Sequence, residues 1–157
     1  MAAAHRSALF AEVAAGAAAA AAGTPAAAAL ADASGKLVLA RGCDPVMAAR
    51  SQSFLPPLLN NARVDAYSSD ADFFAQLARI RSGGAQRPDV VFFAPGACRW
   101  SEARQPIPGG IPGVSHGWSL QQYHERVREE LGADICIVGT TREAEIVPLL
   151  RQALKLQ

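Results

Sequence analysis

The sequence predicts a three-layer α/β domain built on a mixed, mostly parallel sheet, and three observations predict it. Two continuous apolar runs, Asp89 to Ala94 and ADICIVGT ending at Thr140, have the character of strands covered on both faces. Segments with apolar residues at helical spacing alternate with such runs, which is the order that gives a parallel sheet with helices on it. Half of the 157 residues are hydrophobic, enough for one substantial core in one domain, 1–157.

The elements follow in order. Residues 1–23 are Ala-rich, the best helix-forming composition, and Leu9, Phe10 and Val13 add a small apolar stripe before Gly23-Thr24-Pro25 ends the helix. Glu12 interrupts what would be the apolar core of a secretion signal. Next, Ala26 to Ala31 and Lys36 to Arg41 flank the turn Asp32-Ala33-Ser34-Gly35, the pattern of an N-terminal β-hairpin. Asp44-Pro45 opens a helix, with Asp44 as cap, that Pro56-Pro57 kinks or ends. ARVDAYSS reads as an edge strand. Ser69 with Asp70 and Asp72 marks the next helix start, and Phe73, Leu77 and Ile80 follow at helical spacing until Ser82-Gly83-Gly84. After the strand at Asp89 to Ala94 comes a Gly/Pro-rich loop, 105–117, then a helix from Leu120 to Leu131. The final helix is expected to begin just after Thr140, which has capping-box spacing to Glu143; Pro148 implies a kink or a later start.

The totals exclude several classes. A formal charge of +1 with no Lys/Arg cluster gives no electrostatic footprint for nucleic acid or an acidic membrane. No run is long and apolar enough, without Ala padding, to span a bilayer. The three cysteines, Cys43, Cys98 and Cys136, form no paired spacing, which suits free thiols in a reducing, cytoplasmic setting. A small, charge-neutral molecule is the better partner class.

In an open α/β sheet ligands sit beyond the carboxyl ends of the strands, so the loops after Ala94 and Val138 are where a site belongs. Cys98 follows a strong strand by a turn. It is a candidate nucleophile, with His116 as its base and Arg99 to stabilise a thiolate; the alternative is a small structural residue at a strand end. Gly109, Gly110 and Gly113 could offer backbone N–H groups to an anion, or merely connect. Trp100 and Trp118 bracket this loop and could stack on a flat ligand, or anchor the loop to the body. Thr140-Thr141 resembles an anion-binding helix start, as any capping box does. His124, between Arg and Glu neighbours, reads as part of a solvated helix face. Paired metal-ligand spacing is missing, as are the P-loop and dinucleotide glycine patterns, so neither metal nor cofactor is expected.

The order of elements resembles the cytidine and tRNA-adenosine deaminase superfamily. AAAALADASGKLVLARG is similar to its opening hairpin, DPVMAAR lies where that family often reads Asp-Pro-x-x-His-Ala-Glu, and VVFFAPGACRW resembles its strand leading to Pro-Cys-x-x-Cys. EAEIVPLLRQAL resembles its closing helix. The resemblance implies an association into homo- or heterodimers. It does not carry the family's chemistry: Ala48 stands at the His position, Arg50 at the Glu position, and Gly96 and Arg99 at the two Cys positions. The expectation is therefore a non-catalytic, deaminase-like domain that binds a ligand or serves as a partner subunit. A cysteine-dependent enzyme built on Cys98 and His116, and a binder of a planar nucleobase-like ligand through Trp100 and Trp118, are the alternatives. The same order also suits a flavodoxin-like or profilin-like domain.

Overall fold

The computed structural model describes residues 31–42, 44–95 and 118–157. Four strands, β1 (Leu37–Arg41), β2 (Arg63–Tyr67), β3 (Val90–Phe93) and β4 (Cys136–Gly139), form one sheet in the order β2-β1-β3-β4. All three pairings are parallel. The helices are α1 (Pro45–Leu58), α2 (Asp70–Arg81), α3 (Leu120–Leu131) and α4 (Ile146–Ala153), the last preceded by a short 3₁₀ turn, Glu143–Glu145.

Strand alternation sorts the core into two halves. Val38, Ala40, Val64, Val90 and Phe92 point to one face, where Leu55 and Leu59 from α1 and its end meet Ile146 and Leu150 of α4. Leu39, Val91 and Phe93 point to the other, under Phe73, Leu77 and Ile80 of α2 and Tyr123, Val127 and Leu131 of α3. Helices thus cover both faces, which makes the three layers the hydrophobic runs predict. β2 is an edge strand, as its mixed pattern implied.

The hairpin expectation is corrected. β1 pairs with β2 along one edge and with β3 along the other, from Leu37 or Val38 to Arg41, so no edge remains for an antiparallel partner. The chain just before it turns elsewhere: Ala33 N donates to the Asn60 carbonyl at 2.6 Å, and the Asn60 side-chain amide donates to the Ala31 carbonyl at 3.2 Å. The sheet among the described residues is therefore all parallel rather than mixed. Residues 26–30 and the Ala-rich stretch 1–23 lie outside the described residues.

Pro56 and Pro57 lie in the last turn of α1, which ends one residue after them at Leu58. Asn60 and Asn61, with φ of 52° and 68°, end it in the left-handed region that Asn tolerates. Asn61 N and Leu59 N both donate to the Pro56 carbonyl, closing the turn. The expected caps do hold elsewhere. Asp44 accepts from Val46 N and Met47 N, and Ser69 accepts from Asp72 N. Ser119 and Gln122 form a reciprocal capping box at the start of α3.

α4 starts later than Thr140, at Ile146, so that Pro148 falls in its first turn where a missing N–H costs nothing. The Thr140–Glu143 cap is replaced by a contact with Glu145, described below.

The topology locates a crevice. β1 is followed by α1 on the first face, whereas the chain after β3 returns as α3 on the second. Neighbouring strands whose continuations part to opposite faces leave a gap at their carboxyl ends, the usual ligand position in a doubly wound sheet.

Candidate functional site

At the carboxyl end of β1, beside that crevice, the last strand residue is an arginine. Alternation sends Arg41 to the same face as Leu39, beneath the start of α2, where it is 2% exposed. Its Nε and Nη2 donate to Oδ1 of Asp70 at 3.0 and 2.8 Å. Asp70 is the first residue of α2, itself 2% exposed, and its other oxygen accepts the Tyr123 hydroxyl at 2.6 Å. Both carboxylate oxygens are thus engaged, one by a cation and one by a phenol from α3. The backbone around Arg41 is equally tied: Gly42 N donates to the Tyr67 carbonyl and Ala94 N to that of Arg41, both at 2.9 Å.

An ion pair this buried is a poor way to stabilise a core. Taking both charges out of water costs several kcal/mol per ion, about what their attraction returns, and apolar residues of the same volume often do as well or better. Its location at the switch between β1 and β3 is what gives it functional interest. It pins three elements, β1, α2 and α3, to one another at the sheet's carboxyl end.

The phenol that completes the cluster also carries an aromatic group. The Tyr123 ring lies nearly parallel to Phe74 (6.2 Å, 6°), 5.5 Å from Trp118 and 5.9 Å from Phe93, the last residue of β3. Trp118 also packs 5.4 Å from Phe74 and stays partly exposed. Polar and aromatic parts are therefore one unit, joined through Tyr123.

His124 departs from its expected place on a solvated face. It is half-buried, with its ring 5.3 Å from Phe93. The reason is periodicity: Leu120, His124, Val127 and Leu131 follow at i, i+4, i+7 and i+11, the apolar stripe of α3. Burial first, and then the nearby Arg128 guanidinium, hold its imidazole below the ordinary titration range, so it is neutral at pH 7. Its Nε2 is buried and has no hydrogen-bond partner among the described residues.

Of the residues singled out from sequence, Cys98, Arg99, Trp100, Gly109, Gly110, Gly113 and His116 lie outside the described residues. The described flanks of their segment, Pro95 after β3 and Trp118 before α3, belong to the carboxyl end of the sheet. Trp118 does anchor its end of the segment to the body, through Phe74 and Tyr123.

Thr140 is buried, but its hydroxyl is already committed: it donates to Glu145 Oε2 at 2.7 Å and accepts from Arg142 N at 3.0 Å. That hydrogen bond, ahead of the Arg142 charge, lowers the Glu145 carboxyl below its usual range. The carboxylate thus sits where an anion would at this turn, and Thr141 is exposed beside it. Among the described residues no group of His, Cys, Asp and Glu side chains could hold a metal ion, and no helix is long and apolar enough to cross a membrane.

No protein-family model, curated protein or solved structure matches this chain.

The amino end of the sheet is built differently. Lys36 Nζ donates to the Leu154 carbonyl at the end of α4, and Arg87 donates to the Leu131 carbonyl at the end of α3 and to Asp134 at 2.9 Å. Asp89 accepts from Leu37 N at 2.8 Å. With Cys136 and Lys155 these side chains line a cleft of about 300 Å³. Its cations sit at helix C-termini, where they meet the last free carbonyls and the negative end of the dipole.

Sequence reasoning missed Arg41, Asp70 and Tyr123 as a set, and His124 as a buried group. A signal existed for two of them: a charge ending the buried run KLVLAR, and a histidine on an apolar stripe.

Proposed function

We propose that this chain is a ligand-binding α/β domain that takes an uncharged planar molecule at the carboxyl ends of β1 and β3. The observation that carries the reading is the double role of Tyr123. Its hydroxyl is locked to the buried Arg41–Asp70 pair while its ring supports Phe74 and Trp118. Such coupling pre-organises an aromatic surface, because the supporting side chains are already ordered before a ligand arrives.

Electrostatics supports the choice of an uncharged ligand. Arg41 is matched by Asp70, and His124 is held neutral by its surroundings. Asp44 uses its carboxylate on the first amides of α1, so those donors are not offered to an anion. What the described residues bring to this end is aromatic area and hydrogen bonds, the combination that suits a heterocycle with polar edges.

The test is tryptophan fluorescence of the full chain titrated with adenosine, guanosine, cytidine, uridine and AMP. A saturable change with at least one nucleoside, abolished in Trp118→Leu, is the expected result. No saturable response to any of them overturns the reading. Binding of AMP without binding of adenosine overturns its uncharged part.

A further inference from the structure

Protonation of His124 has nowhere to put its charge. The Nε2 is sealed from solvent without a partner among the described residues, and the ring lies 5.3 Å from that of Phe93. In the neutral imidazole this nitrogen is one unmet polar atom. In the imidazolium both nitrogens are donors and the ring is charged, so the same seal becomes far more costly. Neighbouring groups do not offset that charge. On α3 itself Arg128 adds a like charge, Glu125 is bonded by Gln121, and Glu129 and Glu130 by Arg126. From α2, Asp70 is held by Arg41 and Tyr123, and Arg81 reaches Glu130. To this face β3 brings Val91 and Phe93 and β4 brings Ile137, while Asp134, in the turn before β4, pairs with Arg87.

We propose that His124 is an acid-operated latch: its protonation frees the first turns of α3 from the sheet and dismantles the cluster that Tyr123 completes. The transmitting contacts run side by side. Phe93 packs against His124 and, at 5.9 Å, against Tyr123, so one ring of β3 seats two consecutive residues of α3. Tyr123 in turn holds Asp70 through its hydroxyl at 2.6 Å and stands 5.5 Å from Trp118. Turning His124 out to water therefore moves the turn that carries the phenol. Local release is the smaller way to hydrate the ring, because Val127 and Leu131 are buried and still hold the second half of the helix. Burial and Arg128 already keep the imidazole below its ordinary value of about 6.5, the direction this linkage requires, since the released state takes the proton more readily. The latch is closed above that value and opens as pH falls below it. For the proposed binding of a planar molecule, release is the off state. That consequence rests on the binding reading; the latch does not.

The test is amide hydrogen exchange of the full chain without ligand, read by mass spectrometry as protection factors for α2 and for residues 120–126 of α3. Between about pH 7.5 and about pH 5, protection of 120–126 is expected to fall about threefold or more relative to α2 in the natural chain. The ratio should hold constant in His124→Phe, which keeps a ring against Phe93 and cannot take a proton. His124→Leu, which continues the apolar stripe, gives the same readout where phenylalanine packs badly. A constant ratio in the natural chain overturns the latch, and so does an equal fall in both variants. An equal loss of protection in α2 and α3 also overturns it, because that is unfolding of the whole domain. None of these outcomes involves a ligand, so failure of the latch and failure of the binding reading are separate results.

Discussion

The two ends of this sheet use charge in opposite ways. At the amino end Lys36, Arg87, Asp89 and Asp134 line an open cleft, and those that bond at all bond to backbone ends or to an exposed partner. Lys36 and Arg87 satisfy carbonyls that every helix leaves free, while Asp89 accepts a strand amide and Asp134 the Arg87 guanidinium. At the carboxyl end Arg41 and Asp70 are sealed from water and bond to each other and to Tyr123, where no helix end required it. Charges near water are inexpensive and cap what needs capping. Buried ones are costly, and Arg41 and Asp70, the two charged residues buried as whole residues among those described, lie beside the crevice that topology opens between β1 and β3.

The comparison is broken most directly by removing one acid from each end. Asp70→Ala leaves the Arg41 guanidinium buried without its carboxylate, and urea unfolding is expected to register a loss of about 3–5 kcal/mol. Asp134→Ala removes a carboxylate that is 79% exposed from Arg87, and the expected loss is within about 0.5 kcal/mol. Similar losses at both sites would mean the two ends do not differ in kind.

A smaller effect sharpens the picture of the buried cluster. Tyr123→Phe keeps the ring contacts with Phe74, Trp118 and Phe93 but takes the donor from Asp70. A loss of about 1.5–3 kcal/mol is expected for a hydrogen bond to a charged group. Unchanged stability in the same urea series would show that the phenol is not part of the unit.

The smallest expected effect is a pH dependence. An unfolded histidine takes up its proton near an ordinary value of about 6.5, whereas folded His124, desolvated and beside Arg128, does so only at lower pH. The unfolded state therefore binds more protons once the pH drops below about 6.5. Stability from this group is complete above that value and declines as pH falls toward the folded value. The decline should be shallower in His124→Phe, measured over the same pH range by thermal unfolding. Parallel curves for the two proteins would place the titrating group elsewhere.

Local signals in the chain were legible where one residue's neighbours in sequence are also its neighbours in space. Ser69 as a cap is visible three positions from Asp72, and Val90 to Phe93 is apolar at every position because both its faces are covered. Leu120–Leu131 has the bounds its periodicity predicts. The hairpin misled because two short apolar runs around a Gly turn describe a hairpin equally well whether or not the second run's edges are free. That freedom depends on β2 and β3, which pair with β1 at offsets of 26 and 52 positions, Leu37 with Arg63 and Val38 with Val90. Pro56 and Pro57 mark the end of α1 to within a residue, because each lacks the N–H that would continue the ladder, and Asn60 and Asn61 then turn the chain out of the helix.

By itself, then, the sequence determined an α/β domain, its strong central strand and the starts of α1, α2 and α3. These follow from periodicity and capping, which act over a turn or two of chain. Only the tertiary structure decided that the described strands are all parallel, that Arg41, Asp70 and Tyr123 meet, and that His124 is half-buried, its Nε2 without a partner among the described residues. Asp70 lies 29 positions from Arg41 and 53 from Tyr123. No local spacing encodes such a meeting; it exists because the two crossovers around β3 set α2 and α3 side by side over the carboxyl end of β1.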